Sequence, residues 1–314
     1  MKSFVVLFLS LLVLNSSLSA VDSLLKAPKR GSSSWGHDDQ RGAINQVSPE
    51  TILEALRLIK KGIIIPLGRN YEESMPQVSG RTYTLLIPEA APPAGKYGAV
   101  AHEEFVATQL GQVGTQLDGL GHVGIGDVFY NGFDRREFAT PKGLTKLGIE
   151  NVGVFLTRGV LLDIALLKGK ARLDKGYEIT DRDLKLASKN QRLEIRRGDA
   201  VFVHTGWGAL WNVDNELYTS GEPGIGVSAA NFLAERGIIL VGADNWALDV
   251  RPSADPELLY PAHPILVTKN GIYILENLDT SMLARDKVHE FVFFFAPLRL
   301  KGATGSPGNP VAIY

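Results

Sequence analysis

The chain of 314 residues contains no cysteine. That excludes disulfides, a thiol nucleophile and any cysteine-ligated zinc or iron–sulfur centre. Stability must come from the core alone, which a chain of this length can supply. No cluster of five or more basic residues occurs, and the formal net charge is −1. This argues against nucleic acid or an anionic membrane surface as partner, since both demand a cationic face. Beyond the N-terminus, no run approaches the ~18 consecutive apolar residues of a spanning helix. Several catalytic templates are missing too. His102-Glu103-Glu104 lacks the second histidine of His-Glu-x-x-His, there is no Gly-x-Ser-x-Gly elbow, and no Walker loop occurs. Gly111-x-x-Gly114 does not make a dinucleotide loop.

What is present is an ordinary globular balance, with 45% apolar and 21% charged residues, which leaves little room for disorder outside the ends. The first residues read as an export signal. Lys2 gives a positive start, residues 4–14 are an apolar run, and small residues follow up to Ser19-Ala20. Cleavage is expected after Ala20, with Ser17-x-Ser19 as the rival site and an uncleaved anchor as the alternative. The expected organisation is a signal peptide over 1–20, a flexible leader over 21–34 and a single catalytic domain over 35–314. Localisation is then periplasmic or secreted. The Asn-x-Ser/Thr sequon at Asn15 falls inside the signal, so N-glycosylation of the mature chain is not expected.

Ser48-Pro49-Glu50 opens a helix, with Ser as N-cap, Pro at the first position and a carboxylate in the first turn. Ile52, Leu53, Leu56 and Ile59 keep helical spacing up to Gly62. Thr180-x-x-Asp183 is a capping box for a second helix, to about Lys189. Ser228 is expected to cap a third, stopped by Gly237. Short β-rich runs lie between, at 83–87, 159–164, 200–204, 238–242, 272–275 and 291–295. Several are apolar at consecutive positions, as strands buried on both faces are. The class is α/β or α+β with a mixed sheet.

Six histidines occur, and the informative ones stand among other ligand types. The densest segment runs from Gln112 through Gly114, Thr115, Gln116, Asp118, Gly119 and Gly121 to His122. Gln116 and Asp118 face the same side of an extended chain. A carboxylate, amide oxygens and an imidazole converging there suit a divalent metal, while the plainer reading is a glycine-rich turn. A second segment has His263 and then Glu276-Asn277 at the end of an apolar strand; Glu276 is either a surface carboxylate or a functional group where ligands bind in open α/β sheets, and the plainer reading of each residue alone is structural. The third is Asp244-Asn245-Trp246 to Asp249, and the fourth is His204-Thr205-Gly206-Trp207. Trp35, Trp207, Trp211 and Trp246 all sit in or beside such loops. They either line a pocket for a flat substrate or plug loops against the core.

These segments, in this order, resemble the cyclase family of metal-dependent hydrolases, which includes bacterial kynurenine formamidase and isatin hydrolase. The family hallmark is His-x-Gly-Thr-His-x-Asp-x-Pro-x-His. The chain has Gln112-x-Gly-Thr-Gln116-x-Asp118-x-Leu120-x-His122, with identical spacing and three departures, a Gly-Thr-Gln variant. Trp35 to Asn45, His204 to Trp207, His263 with Glu276-Asn277-Leu278, and the closing segment from Ala296 resemble the family as well.

The resemblance implies a swivelling β/β/α fold, usually oligomeric, and hence a homo-oligomer. It implies a manganese or zinc site built from Asp118, His122, His263 and Glu276, with Gln112 and Gln116 at two further ligand positions. It implies hydrolysis of an amide, lactam, cyclic imide or lactone by metal-activated water, with Glu276 or His122 moving the proton. Trp35, Trp207, Trp246 and His204 are expected to bind the substrate, a small cyclic or aromatic molecule. The alternatives are a catalytically silent binding protein on the same fold, or a cyclase that closes the ring.

Overall fold

The computed structural model describes residues 26–78, 80–88 and 92–314. The expected export signal and the first part of the expected leader lie outside the described residues.

Nine strands form one mixed sheet: β1 (Ile64–Pro66), β2 (Gln116–Asp118), β3 (Phe155–Asp163), β4 (Ala200–His204), β5 (Leu240–Ala243), β6 (Tyr273–Glu276), β7 (Glu290–Phe295), β8 (Gly305–Pro307) and β9 (Val311–Ile313). Their order across the sheet is β1-β9-β7-β3-β4-β5-β6-β2-β8. The four central strands, β3 to β6, run parallel, and every pairing outside them is antiparallel. Helices cover the parallel part, which is why its strands read as unbroken apolar runs. Val160 to Leu162, Ala200 to Val203, and Leu240 with Val241 are wholly buried.

The main helices are α1 (Pro49–Leu56), α2 (Asp181–Asn190) and α3 (Val227–Glu235). Capping boxes start the first two, Ser48 with Thr51 and Thr180 with Asp183. Two helical expectations are corrected. First, α1 ends at Leu56, short of Gly62. Ala55 is its one buried residue, while Leu53 is 61% exposed. Second, Gly226, not Ser228, caps α3. A Cβ at Gly226 would lie 2.0 Å from Glu178 Oε1, so a capping side chain there would first have to displace Glu178. Ser228 instead accepts the N–H of Asp181 and ties α3 to the start of α2.

The body of the chain begins before Trp35. The Gly31 N–H donates to the Asn131 carbonyl at 3.0 Å, and the Ser33 N–H to Asn131 Oδ1 at 2.8 Å. Two layers sit off the sheet. One is a small second core of Met75, Tyr83, Val113, Trp207, Leu210, Trp211 and Tyr218. The other is a hairpin of Tyr83–Leu86 against Phe105–Thr108, with Leu85, Leu86, Phe105 and Val106 exposed. Among the described residues, no helix is long and apolar enough to cross a membrane.

Candidate metal centre

Strand register assembles the centre. In the antiparallel pairing of β6 with β2, Glu276 stands opposite Gln116, and Ile274 opposite Asp118. The two-residue period of a strand then puts Gln116, Asp118 and Glu276 on one face. The approach to β2 is held by its own motif. Gly114 has φ +68, and a Cβ there would meet the Tyr71 ring at 2.5 Å, so glycine is required. The Thr115 hydroxyl donates to the Asn277 carbonyl at 2.8 Å, and the Asn277 amide donates to the Gly114 carbonyl at 2.9 Å. Thus the Gly-Thr pair clamps the start of β2 to the end of β6, one residue beyond Glu276.

His263 arrives from elsewhere, at the N-terminus of a one-turn helix, Pro264–Lys269. Its Nε2 lies 3.5 Å from Asp118 Oδ2 and 3.5 Å from Glu276 Oε1. Asp118, His263 and Glu276 are all buried, and their ligand atoms lie within 4.8 Å of one another. His122 Nε2 is 3.7 Å from Asp118 Oδ2, at the edge of the trio and partly open to the cavity.

A second layer fixes the imidazole. His263 Nδ1 meets Asp249 Oδ2 at 2.6 Å, and Asp249 Oδ1 accepts the Ala262 N–H at 2.7 Å. With Nδ1 held as a donor, Nε2 faces the carboxylates as a ligand does in carboxylate–histidine–metal arrangements. Glu222, fully buried, accepts the Trp246 and Ala247 N–H groups at 2.7 and 2.9 Å and so holds the loop beside the centre.

Burial opposes a charge on Asp118, but the neighbouring His122 and His263 outweigh it and hold the carboxyl below its usual range. Burial and the charge of Asp118 push Glu276 up. Two like charges cannot share a dry site at their ordinary pKa values. Burial likewise opposes the charged form of His263, yet the nearby carboxylates of Asp118, Asp249 and Glu276 raise it well above the normal imidazole range. A proton there plays the part of a cation. Burial lowers His122.

Two buried acceptors in the centre, Asp118 Oδ2 and Gln116 Oε1, have no hydrogen-bond donor. Orphaned buried acceptors are costly unless a cation satisfies them. Two carboxylate oxygens with one imidazole nitrogen are a donor set for zinc or manganese. The residues present therefore fit a divalent metal at Asp118, His263 and Glu276.

The two expected amide ligands differ in what they leave free: the Gln112 oxygen is engaged, while that of Gln116 is not. Gln112 Oε1 accepts from Arg81 at 3.1 Å, and its Nε2 donates to Asp118 Oδ1 at 3.1 Å. Gln116 Nε2 donates to Glu276 Oε2 at 2.8 Å. The centre opens into a cavity of about 330 Å³ lined also by Arg81, Trp246, Leu259 and Tyr260.

Of the expected substrate-binding residues, Trp246 lines this cavity and the others lie elsewhere. Trp207 is buried in the second core, its indole N–H donating to the Tyr218 carbonyl at 3.1 Å. Trp35 borders a different cleft with Tyr130 and Arg197. His204 ends β4 in a separate cavity with Arg69 and Asp279, and its Nδ1 is 2.7 Å from Thr280 Oγ1. Packing explains the placement of Trp207: a large indole beside a glycine loop is as useful for plugging the loop as for facing solvent. Sequence reasoning assigned no role to Asp249, Glu222 or Arg81. For Asp249 the usable signal was a carboxylate shortly after a strand end; for the other two there was none.

A family model described as "Putative cyclase" matches residues 65–250. A crystal structure described as a novel cyclase is 33% identical, with a TM-score of 0.82, over 92% of this chain and 100% of that one. Isatin hydrolase A from Labrenzia aggregata, bound to benzyl benzoate, is 21% identical with a TM-score of 0.61, over 85% of this chain and 98% of that one. A predicted metal-dependent hydrolase from Bacillus stearothermophilus is 18% identical with a TM-score of 0.53, over 81% and 98%. At those identities the last two show the shared fold alone. No curated protein matches the chain. With the family model spanning more than half of its length, the chain belongs to the cyclase family.

Proposed function

We propose that the protein is a metal-dependent hydrolase that opens an amide, lactam, cyclic imide or lactone bond, with one zinc or manganese held by Asp118, His263 and Glu276. The observation that carries this is the buried trio with its orphaned acceptors, Asp118 Oδ2 and Gln116 Oε1. A bound divalent metal polarises a carbonyl and lowers the pKa of its water toward ~7. The chain's own groups do the rest. Glu276 has both oxygens engaged, Oε1 toward His263 and Oε2 with Gln116, so it is a ligand. His122, beside the trio and facing the cavity, takes the proton and returns it to the leaving nitrogen or oxygen. Asp249 keeps the His263 ring oriented, and Trp246 offers the cavity a flat apolar wall. One metal is proposed rather than two, because the Gln112 carbonyl is taken by Arg81.

The wider reading follows the resemblance: a Gly-Thr-Gln variant of the family, with a swivelling β/β/α fold, exported by residues 1–20 and acting on a small cyclic or aromatic substrate. Self-association is proposed with it, and the exposed apolar hairpin residues Leu85, Leu86, Phe105 and Val106 support that. The same site run in reverse is a cyclase.

A second reading has one specific observation in its favour. The Gln112 and Gln116 amides donate to Asp118 and Glu276, which eases both carboxylates without a metal. A catalytically silent binding protein would look like this. Elemental analysis of the purified chain decides between them. About one zinc or manganese per chain, lost in Asp118→Ala and His263→Ala, supports the hydrolase and justifies a screen of lactams, imides and lactones. A wild type that stays metal-free after reloading leaves the binding protein in front.

A further inference from the structure

The wall of the cavity carries a charge that its floor does not use. Arg81 is the one lysine or arginine among the described residues lining the cavity, and among the described residues it forms no ion pair with a carboxylate. Its Nη2 is spent on the Gln112 carbonyl at 3.1 Å. The rest of the guanidinium fork remains available. The floor is balanced differently. A dication at the centre offsets Asp118 and Glu276, while Asp249 lies behind His263 and does not line the cavity. With the metal in place, the surface facing a substrate is therefore positive, and the surplus sits on Arg81.

Position decides what that charge meets. The Gln112 amide bridges the two groups, its oxygen on Arg81 and its Nε2 on Asp118 Oδ1 at 3.1 Å. The guanidinium thus stands one amide group beyond the ligand shell. A carbonyl held at the centre is too short to touch both. A second group a few bonds away on the same small molecule spans the gap. A planar guanidinium on a cavity wall matches a carboxylate, through short charge-assisted hydrogen bonds. The buried Trp246 indole N–H, which also lacks a partner, adds a neutral donor on the same cavity.

We infer that Arg81 anchors a carboxylate on the substrate, so that the pocket takes an amide, lactam or lactone bearing an acidic group a few bonds from the carbonyl that is opened. This rests on the hydrolase reading and narrows it. Neutral rings of the same shape bind the same floor but bring Arg81 no carboxylate.

The test uses the zinc-loaded full chain and a matched pair of ligands. Benzohydroxamic acid anchors on the metal; one probe carries a ring carboxylate and its twin a carboxamide at the same position. The meta and para isomers scan the spacing. Calorimetry should show the wild type binding the better carboxylate isomer about 10–100-fold more tightly than its twin, the range of one charge-assisted contact. In Arg81→Gln the two probes should become equal within about twofold, and Arg81→Lys should keep part of the preference. A preference that survives in Arg81→Gln, or none in the wild type, overturns the inference. The zinc titration separates the two failures. No zinc uptake removes the hydrolase reading together with this one. Zinc uptake with indifference to the carboxylate removes only the role of Arg81.

Discussion

Two histidine–aspartate constellations sit at the ends of β4 and β6, with β5 between them, and they differ in what is left over. At the end of β4, Asp244 Oδ1 accepts from the Thr205 N–H at 2.8 Å and from its hydroxyl at 2.6 Å. Its Oδ2 faces the Gly208 N–H and His204 Nδ1, both at 3.4 Å. Every acceptor there has a donor. At the end of β6, Asp118 Oδ2 has none, and two carboxylates share the space with one imidazole. The residue types are the same, yet the first set is finished and the second is not. A satisfied buried network rigidifies a loop; an unsatisfied one asks for a ligand. That is why His204 lies outside the candidate site although its motif is as conspicuous in the sequence as that of His263.

The comparison breaks most sharply under substitution. Asp118→Ala removes a ligand and an orphaned acceptor together. Metal affinity should fall at least ~1000-fold, about 4 kcal/mol, with a folded chain by circular dichroism. Asp244→Ala should do the reverse. It leaves the buried Thr205 N–H and hydroxyl unpaired, at a cost of about 3 kcal/mol, read as a lower urea midpoint. Its zinc stoichiometry should stay at the wild-type value. If Asp244→Ala loses the metal and Asp118→Ala does not, the assignment of the two clusters is reversed.

A smaller effect tests the second layer. Asp249→Asn keeps the volume behind His263 and removes the charge that holds its Nδ1 proton. Zinc affinity should drop about 10–100-fold, with the urea midpoint moving far less than in Asp244→Ala. Unchanged affinity would mean that Asp249 serves the Ala262 turn alone.

How much of this contrast was legible in the sequence depends on distance along the chain. Strand runs such as 200–204 and 291–295 were plain, because strands buried on both faces are apolar without a break. The common face of Gln116 and Asp118 followed from the strand period. That Glu276 would stand opposite Gln116, 160 residues away, is a matter of register, which local pattern does not carry. His263 and Glu276 were reached through resemblance to a family, not through spacing. Asp249 stood in a candidate segment but without a role, because its partner lies 14 residues on, across a loop with no periodicity. Arg81 sits in a segment without any pattern, and only the fold brings it to Gln112. The apolar spacing on α1 overran its end: it continues to Ile59, yet the helix stops at Leu56, and Leu53 and Leu56 are exposed.

The finest distinction between the two clusters is how they respond to protons. In the metal-free centre His263 is raised well above the imidazole range by its three carboxylate partners, against the effect of burial, and Glu276 is raised by burial and by Asp118. Both shifts favour the protonated forms, so protons compete with a metal for the site. The sign follows directly. The metal binds the deprotonated forms, so its apparent affinity rises with pH through the range where these groups titrate, by up to about tenfold per pH unit for each proton displaced. It levels off once both are free. Zinc titrations in buffers of different ionisation enthalpy should therefore show one to two protons released per metal bound at neutral pH. Asp249→Asn removes one of the contacts that raise His263, so it should release fewer protons even as it weakens binding. Binding that releases no protons would mean that the metal enters somewhere other than between His263 and Glu276, because nothing can coordinate there while the imidazole nitrogen still carries its proton.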